Sequence, residues 1–201
     1  MNHQLNHQLN NRSETTSSFL DPSGGFVIWV FILCELLGFA IALLMFAHEK
    51  SMAPELFQNS RNLLNQLYGT FNTIILITSG FLVAKASKAY HVKNNKQTVV
   101  YLVAAIIFGV LFLILKGLEY QEKISLGMGL GHNTFFDYYW MLTAFHALHV
   151  VMGIIILLIM AIKAYLNSPY AEEDFGFETG CMFWHMCDLI WVLVFPTIYL
   201  L

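Results

Sequence analysis

Charged side chains are scarce in this chain: Asp, Glu, Lys and Arg make up 11% of its 201 residues, where a soluble globular protein carries about 25%. That shortage excludes an ordinary solvated surface. The formal net charge of -3, with no basic stripe beyond one short loop, excludes nucleic acid as a partner. Cysteine is limited to Cys34, Cys181 and Cys187, all in apolar segments and with no CxxC spacing. They are read as buried thiols packing as small hydrophobes. Catalytic motifs are missing too. No HExxH, G-x-S-x-G or phosphate loop is present, and no spacing supports a Ser-His-acid arrangement. Inverted-repeat symmetry of broken helices, a mark of many secondary transporters, is also missing.

What fills the chain is apolar sequence: 57% of its residues are hydrophobic and its mean hydropathy is +0.61. These residues fall in five blocks, at 26–47, 67–89, 98–118, 137–162 and 180–201. Each is long enough to cross about 30 Å of hydrocarbon. Lipid leaves backbone groups no water to bond, so a spanning segment must be a helix or part of a closed barrel. A barrel would alternate with period two, and these blocks do not. The predicted fold is an all-α polytopic membrane protein, a bundle of five transmembrane helices forming one domain over 26–201. Residues 1–25 repeat NHQL and then run polar. They read as a disordered or loose arm, without the basic start and apolar core of a signal peptide. Pro196, near the end of the last block, either kinks the final turn or marks its meeting with the interface.

Lysine placement sets the expected orientation. Lys85, Lys88, Lys93 and Lys96 crowd the connection between the second and third blocks, which puts it in the cytoplasm, with the N-terminus inside and the C-terminus outside. The acidic run Glu172, Glu173, Asp174 and Glu178 also falls inside, but acids weigh little in this rule. Tyr138, Tyr139 and Trp140 are expected as interface anchors at the outer side, with Trp184 at the inner side and Trp191 further along the same block.

The polar groups inside the blocks carry the functional question. An acid at mid-membrane costs about 2.5–3.5 kcal/mol, so Glu35 must face the interior, hold a proton or have a partner. Proton handling and a structural hydrogen bond both remain open for it. His146 and His149 lie three apart, as do His185 and Asp188, so each couple shares a helix face. At a rise of about 1.5 Å per residue, Glu35, His149 and Asp188 fall within several ångström of one depth and could form one polar layer. Haem would need axial ligands on opposed faces, such as His146 or His149 opposite His185, whose depths match poorly. A di-iron bundle would need paired Glu-x-x-His, which is missing. No intrinsic metal or cofactor is expected, and interhelical hydrogen bonding is the better account of these side chains. Asn72, Leu76, Ser79 and Val83 form one stripe suited to close helix packing. Lys116 and Glu119, with Glu119 and Lys123, are spaced for ion pairs; together with Asn72 they are alternatively candidates for a lipid headgroup.

Five motifs then combine. FILCELLGF at 31–39, NTIILITSG at 72–80, LKGLEYQEK at 115–123, TAFHALHVVMG at 143–153 and WHMCDLIWVLVFPTIYL at 184–200 resemble, in order, successive helices of subunit III of the haem-copper respiratory oxidases. The five-helix count and the wording of the first, third and last motifs look most like a nitric-oxide-reductase-associated branch, which would tie the chain to denitrification. The resemblance implies a bundle with a V-shaped cleft holding phospholipids. It implies no haem or copper in this chain, and a partner subunit in the bacterial inner membrane that carries them in respiratory electron transport. Glu35 stands where the family has a buried acid; Glu119, His149, His185 and Asp188 stand at other recurring polar positions, flanked at the end by Trp184 and Trp191. The quinol oxidase forms can carry Asp at the position of Glu35. Two departures are the Asn/Gln-rich arm in place of two helices, and Ser79-Gly80 for a commoner Ser-Ser, expected to change packing alone. The alternative is a stand-alone haem- or metal-binding membrane protein with catalytic or transport activity.

Overall fold

The computed structural model describes residues 25–166 and 175–200, so the expected N-terminal arm and most of the acidic run at 172–174 lie outside the described residues. Helix α1 runs Gly25–Met52, α2 Pro54–Asn62, α3 Gln66–His91, α4 Asn95–Ser125, α5 Thr134–Tyr165 and α6 Phe175–Phe195, followed by a π-helical turn, Pro196–Leu200. Among the described residues, five helices are long and apolar enough to span a membrane: Ile28–Met52, Gln66–His91, Asn95–Ser125, Thr134–Tyr165 and Gly176–Leu200. The five spans read from the sequence are all present. Most are longer than the apolar blocks, because polar residues extend the helices past the hydrocarbon.

The helix starts have local causes. Asn65, Asn94 and Asn133 each cap a helix, their side-chain oxygens accepting from Leu67 N at 3.0 Å, Gln97 N at 3.2 Å and Phe136 N at 2.9 Å. Pro54 opens α2, where its missing N–H costs nothing. After α4 the chain turns through Gly127 and Gly131, at φ of 75° and 81°, a region that favours glycine.

Helices α3, α4, α5 and α6 pack in a ring, each against its two neighbours, and α1 leans on α6 and α5 from outside. Small residues set the spacing. Ser79 Oγ donates to the Ala105 carbonyl at 2.9 Å, pinning α3 to α4. Trp184 fills the centre, and a Cβ at Gly109 or Gly153 would come within 2.8 Å or 2.7 Å of its ring. The stripe of Asn72, Leu76, Ser79 and Val83 is buried as expected. Trp184 and Trp191 correct the sequence reading. Both are fully buried in the core, not anchored at an interface; for Trp184, Gly109 and Gly153 opposite leave the hole that its indole fills. Trp140 is half-buried, with its Nε1 donating to the Met128 carbonyl at 2.9 Å. Cys34 is exposed on α1, contrary to expectation, while Cys181 and Cys187 are buried.

Candidate functional site

Two polar clusters sit within the apolar bundle. The deeper one is built around Lys116, on the inward face of α4. Its ammonium donates to Glu119 Oε2 at 2.9 Å, the Tyr199 hydroxyl at 2.6 Å and the Tyr139 hydroxyl at 3.4 Å. Tyr199 in turn donates to Glu119 Oε1 at 2.6 Å. The three ammonium protons thus meet three acceptors, and both carboxylate oxygens are engaged. The rings of Tyr120, Tyr139, Trp191 and Tyr199 surround the charge with centroids at 4.8–5.4 Å, in cation–π contact. Lys116 and Glu119 were candidates for a lipid headgroup; both are buried, at 1% and 0% exposure, where no headgroup reaches them. Asn72, the third such candidate, is buried on α3 as well. The expected Glu119–Lys123 pair does not form, since Lys123 donates to the Leu63 carbonyl at 2.8 Å and to Glu122 at 3.2 Å.

The second cluster joins α1 to α5. His149 Nδ1 donates to the Phe145 carbonyl at 2.8 Å, which leaves Nε2 facing Glu35 Oε2 at 3.1 Å. One proton is shared across that contact whichever partner carries it. Phe39, Phe145 and Phe183 pack against the imidazole. Glu35 keeps 22% of its side chain exposed, so the pair lies at the edge of the bundle. The sequence put Glu35, His149 and Asp188 at one depth; the first two do meet.

Asp188 does not join them. Its carboxylate lies 3.6 Å from His185 Nδ1 on the same helix, and its Oδ2 occupies the space that a Cβ at Gly80 would need. A side chain at position 80 would therefore have to displace the Asp188 carboxylate from this position. His185 is exposed, at 47% of its side chain, so it is turned away from the core in which His146 lies. His146 is buried between Phe112 and Trp191, with ring centroids at 5.6 Å and 5.1 Å. Neither of its nitrogens, nor the Asn72 amide, meets a hydrogen-bond partner among the described residues. Also among the described residues, no group of three His, Cys, Asp or Glu side chains is placed to hold a metal ion.

Sequence reasoning missed Tyr139 and Tyr199 as partners of the buried charges. It also missed the hydrogen bond of Trp191 Nε1 to Thr73 Oγ1 at 3.0 Å. The usable signal was Lys116 itself: a cation in an apolar helix needs acceptors, and tyrosines on facing helices can supply them.

A family model of cytochrome c oxidase subunit III matches residues 23–201. The chain belongs to the cytochrome c oxidase subunit III family. It is similar to cytochrome c oxidase subunit 3 of Spodoptera frugiperda, 39% identical over 129 residues, which are 64% of this chain and 85% of that protein. The subunit 3 proteins of Marchantia polymorpha and Arabidopsis thaliana are 35% and 34% identical over 129 residues, 64% of this chain and 47% of each of theirs. The chain thus spans about half the length of the plant relatives it matches. Both polar clusters lie within the residues matched by the family model, and all five spans of this subunit III relative fall inside it.

Proposed function

We propose that the chain is a non-catalytic accessory subunit of a respiratory haem-copper oxidase or nitric oxide reductase complex. It supports a membrane-embedded, metal-bearing subunit and its proton uptake, and it holds phospholipid in a cleft of the bundle. The observation that carries this reading is how its buried ionisable groups are used. Lys116, Glu119, Tyr139 and Tyr199 satisfy one another, and Glu35 is taken up by His149. Such paired groups lock helices together and are not held open for chemistry. The haem and metals of the reaction then belong to the partner. The wording of the helix motifs favours the nitric-oxide-reductase-associated branch, in the bacterial inner membrane with the N-terminus inside.

The test is extraction in mild detergent with identification of what co-purifies. A large haem-bearing subunit in stoichiometric amount is expected. The isolated chain is expected to show no Soret band and no bound metal. A stoichiometric haem or metal on the chain alone would overturn the accessory reading in favour of a stand-alone redox protein. A co-purifying oxygen-reducing subunit would move the chain out of the reductase branch.

A further inference from the structure

His185 is a polar side chain on the wrong side of its helix. The axis of α6 rises about 13 Å from the start of its span at Gly176 to His185, while the polar zone on each side of a bilayer is only about 5–8 Å deep. The imidazole therefore lies within the hydrocarbon. Its side chain is too short to reach back to water as a lysine does. Lys85 shows the contrast: it too is exposed, but it stands in the last two turns of α3, with its ammonium over the Phe81 ring at 5.1 Å. Ionisable side chains within a span almost always face the interior of a bundle or a water-filled cavity. His185 instead faces outward, with 47% of its side chain exposed.

The ring is nonetheless aimed. Asp188, one turn on, presents Oδ2 to Nδ1 at 3.6 Å, and that carboxylate is wedged against Gly80 of α3. Facing a carboxylate, Nδ1 keeps the ring proton and Nε2 is left as an acceptor. The same face of α6 continues with Leu189, Val192 and Leu193, all exposed, at a spacing that makes one stripe along the helix. The stripe is thus apolar, with one oriented acceptor at a fixed depth. Lipid tails suit its apolar part and cannot satisfy the acceptor. A transmembrane helix carrying an O–H or N–H donor satisfies both.

We infer that this outer face of α6 is where a helix of the metal-bearing subunit docks, with His185 Nε2 accepting a hydrogen bond from a hydroxyl, indole or amide donor on that helix. The inference rests on the accessory reading above and adds to it the face and the chemistry of the contact. Asp188 and Gly80 are positioning residues, since they act through the imidazole.

The experiment uses the intact complex, purified in mild detergent through the full chain. The photoreactive amino acid p-benzoylphenylalanine replaces Leu189 or Val192 in the stripe, or Ile107, which is exposed on α4 across the ring. Irradiation of the Leu189 and Val192 variants should give an adduct with the same large haem-bearing subunit that co-purifies, identified by mass spectrometry; the Ile107 variant should give none. Separately, His185→Leu removes the acceptor at an exposed position and is expected to fold, with the helical circular dichroism signal reporting this. It should weaken retention of the large subunit on dilution by about three- to twentyfold, the range of a hydrogen bond between membrane helices. His185→Gln, whose amide oxygen can take the place of Nε2, should restore most of that retention. Adducts with lipid alone, with a second copy of this chain, or with the large subunit from Ile107 in preference to the stripe overturn the inference and leave the accessory reading intact. Unchanged retention in His185→Leu does the same. A chain that co-purifies with no haem-bearing subunit overturns both.

Discussion

Removing Glu119 alone should damage this protein more than removing Glu119 and Lys116 together. Hydrogen bonds between transmembrane helices average only about 0.6 kcal/mol and reach about 1.7 kcal/mol, so an ordinary polar contact here would barely register. The Lys116 cluster is not ordinary. The ammonium is 1% exposed and Glu119 is 0% exposed, so Glu119→Leu strands a cation in the core with only two tyrosine hydroxyls left. Breaking a buried pair from one side costs about 3–5 kcal/mol, whereas replacing both partners by apolar groups of similar size is often neutral or better. The expected order of stability is therefore wild type close to Lys116→Met/Glu119→Leu, with both single variants well below. Tyr199→Phe should fall between, losing about 1.5–3 kcal/mol, because its hydroxyl bonds two charged groups at 2.6 Å each. Reversible unfolding in mixed micelles titrated with SDS reads these differences. Additive single losses, with a double variant as weak as their sum, would refute the claim that the two charges act as one unit.

Three further outcomes follow from the geometry. Thr73→Val removes the acceptor of Trp191 Nε1 and leaves a buried indole N–H unpaired, at a cost of about 1–3 kcal/mol, measurable in the same titration; Thr73→Ser should restore most of it. Gly80→Ala should push the Asp188 carboxylate aside and lower stability in the same titration, and Gly80→Ala with Asp188→Ala should remove the clash; a double variant no better than Gly80→Ala would place the difficulty elsewhere. Glu35→Gln keeps a hydrogen bond to His149 and should leave assembly intact while changing how long turnover lasts or how much lipid the complex retains. Unchanged activity decay together with unchanged lipid content would count against a functional role for the acid.

The spans were legible because lipid removes alternatives: long apolar blocks can only be helices, and the blocks of this chain mark every span. The buried stripe Asn72, Leu76, Ser79 and Val83 followed from helical spacing, and the shared depth of Glu35 and His149 from their places along two helices. Other features needed the packing. Depth says nothing about azimuth, so the sequence could not separate His146, in the core, from His185, on the outside. Trp184 and Trp191 looked like anchors because tryptophan favours interfaces. What overrides that preference is a pair of distant glycines, Gly109 and Gly153, that open a hole for Trp184. Helix α2 escaped notice because it is short and polar on average, and its one buried aromatic, Phe57, is recognisable only beside Phe46 and Phe135.

The π-helical turn at Pro196–Leu200 adds a constraint on the backbone itself. A π turn carries one residue more than an α turn over the same axial rise. Tyr199 reaches Lys116 from within that widened turn. Forcing this turn into α-helix at unchanged length would carry the phenol round the axis, away from the ammonium. The widened turn is thus as necessary to the Lys116 contact as the tyrosine itself.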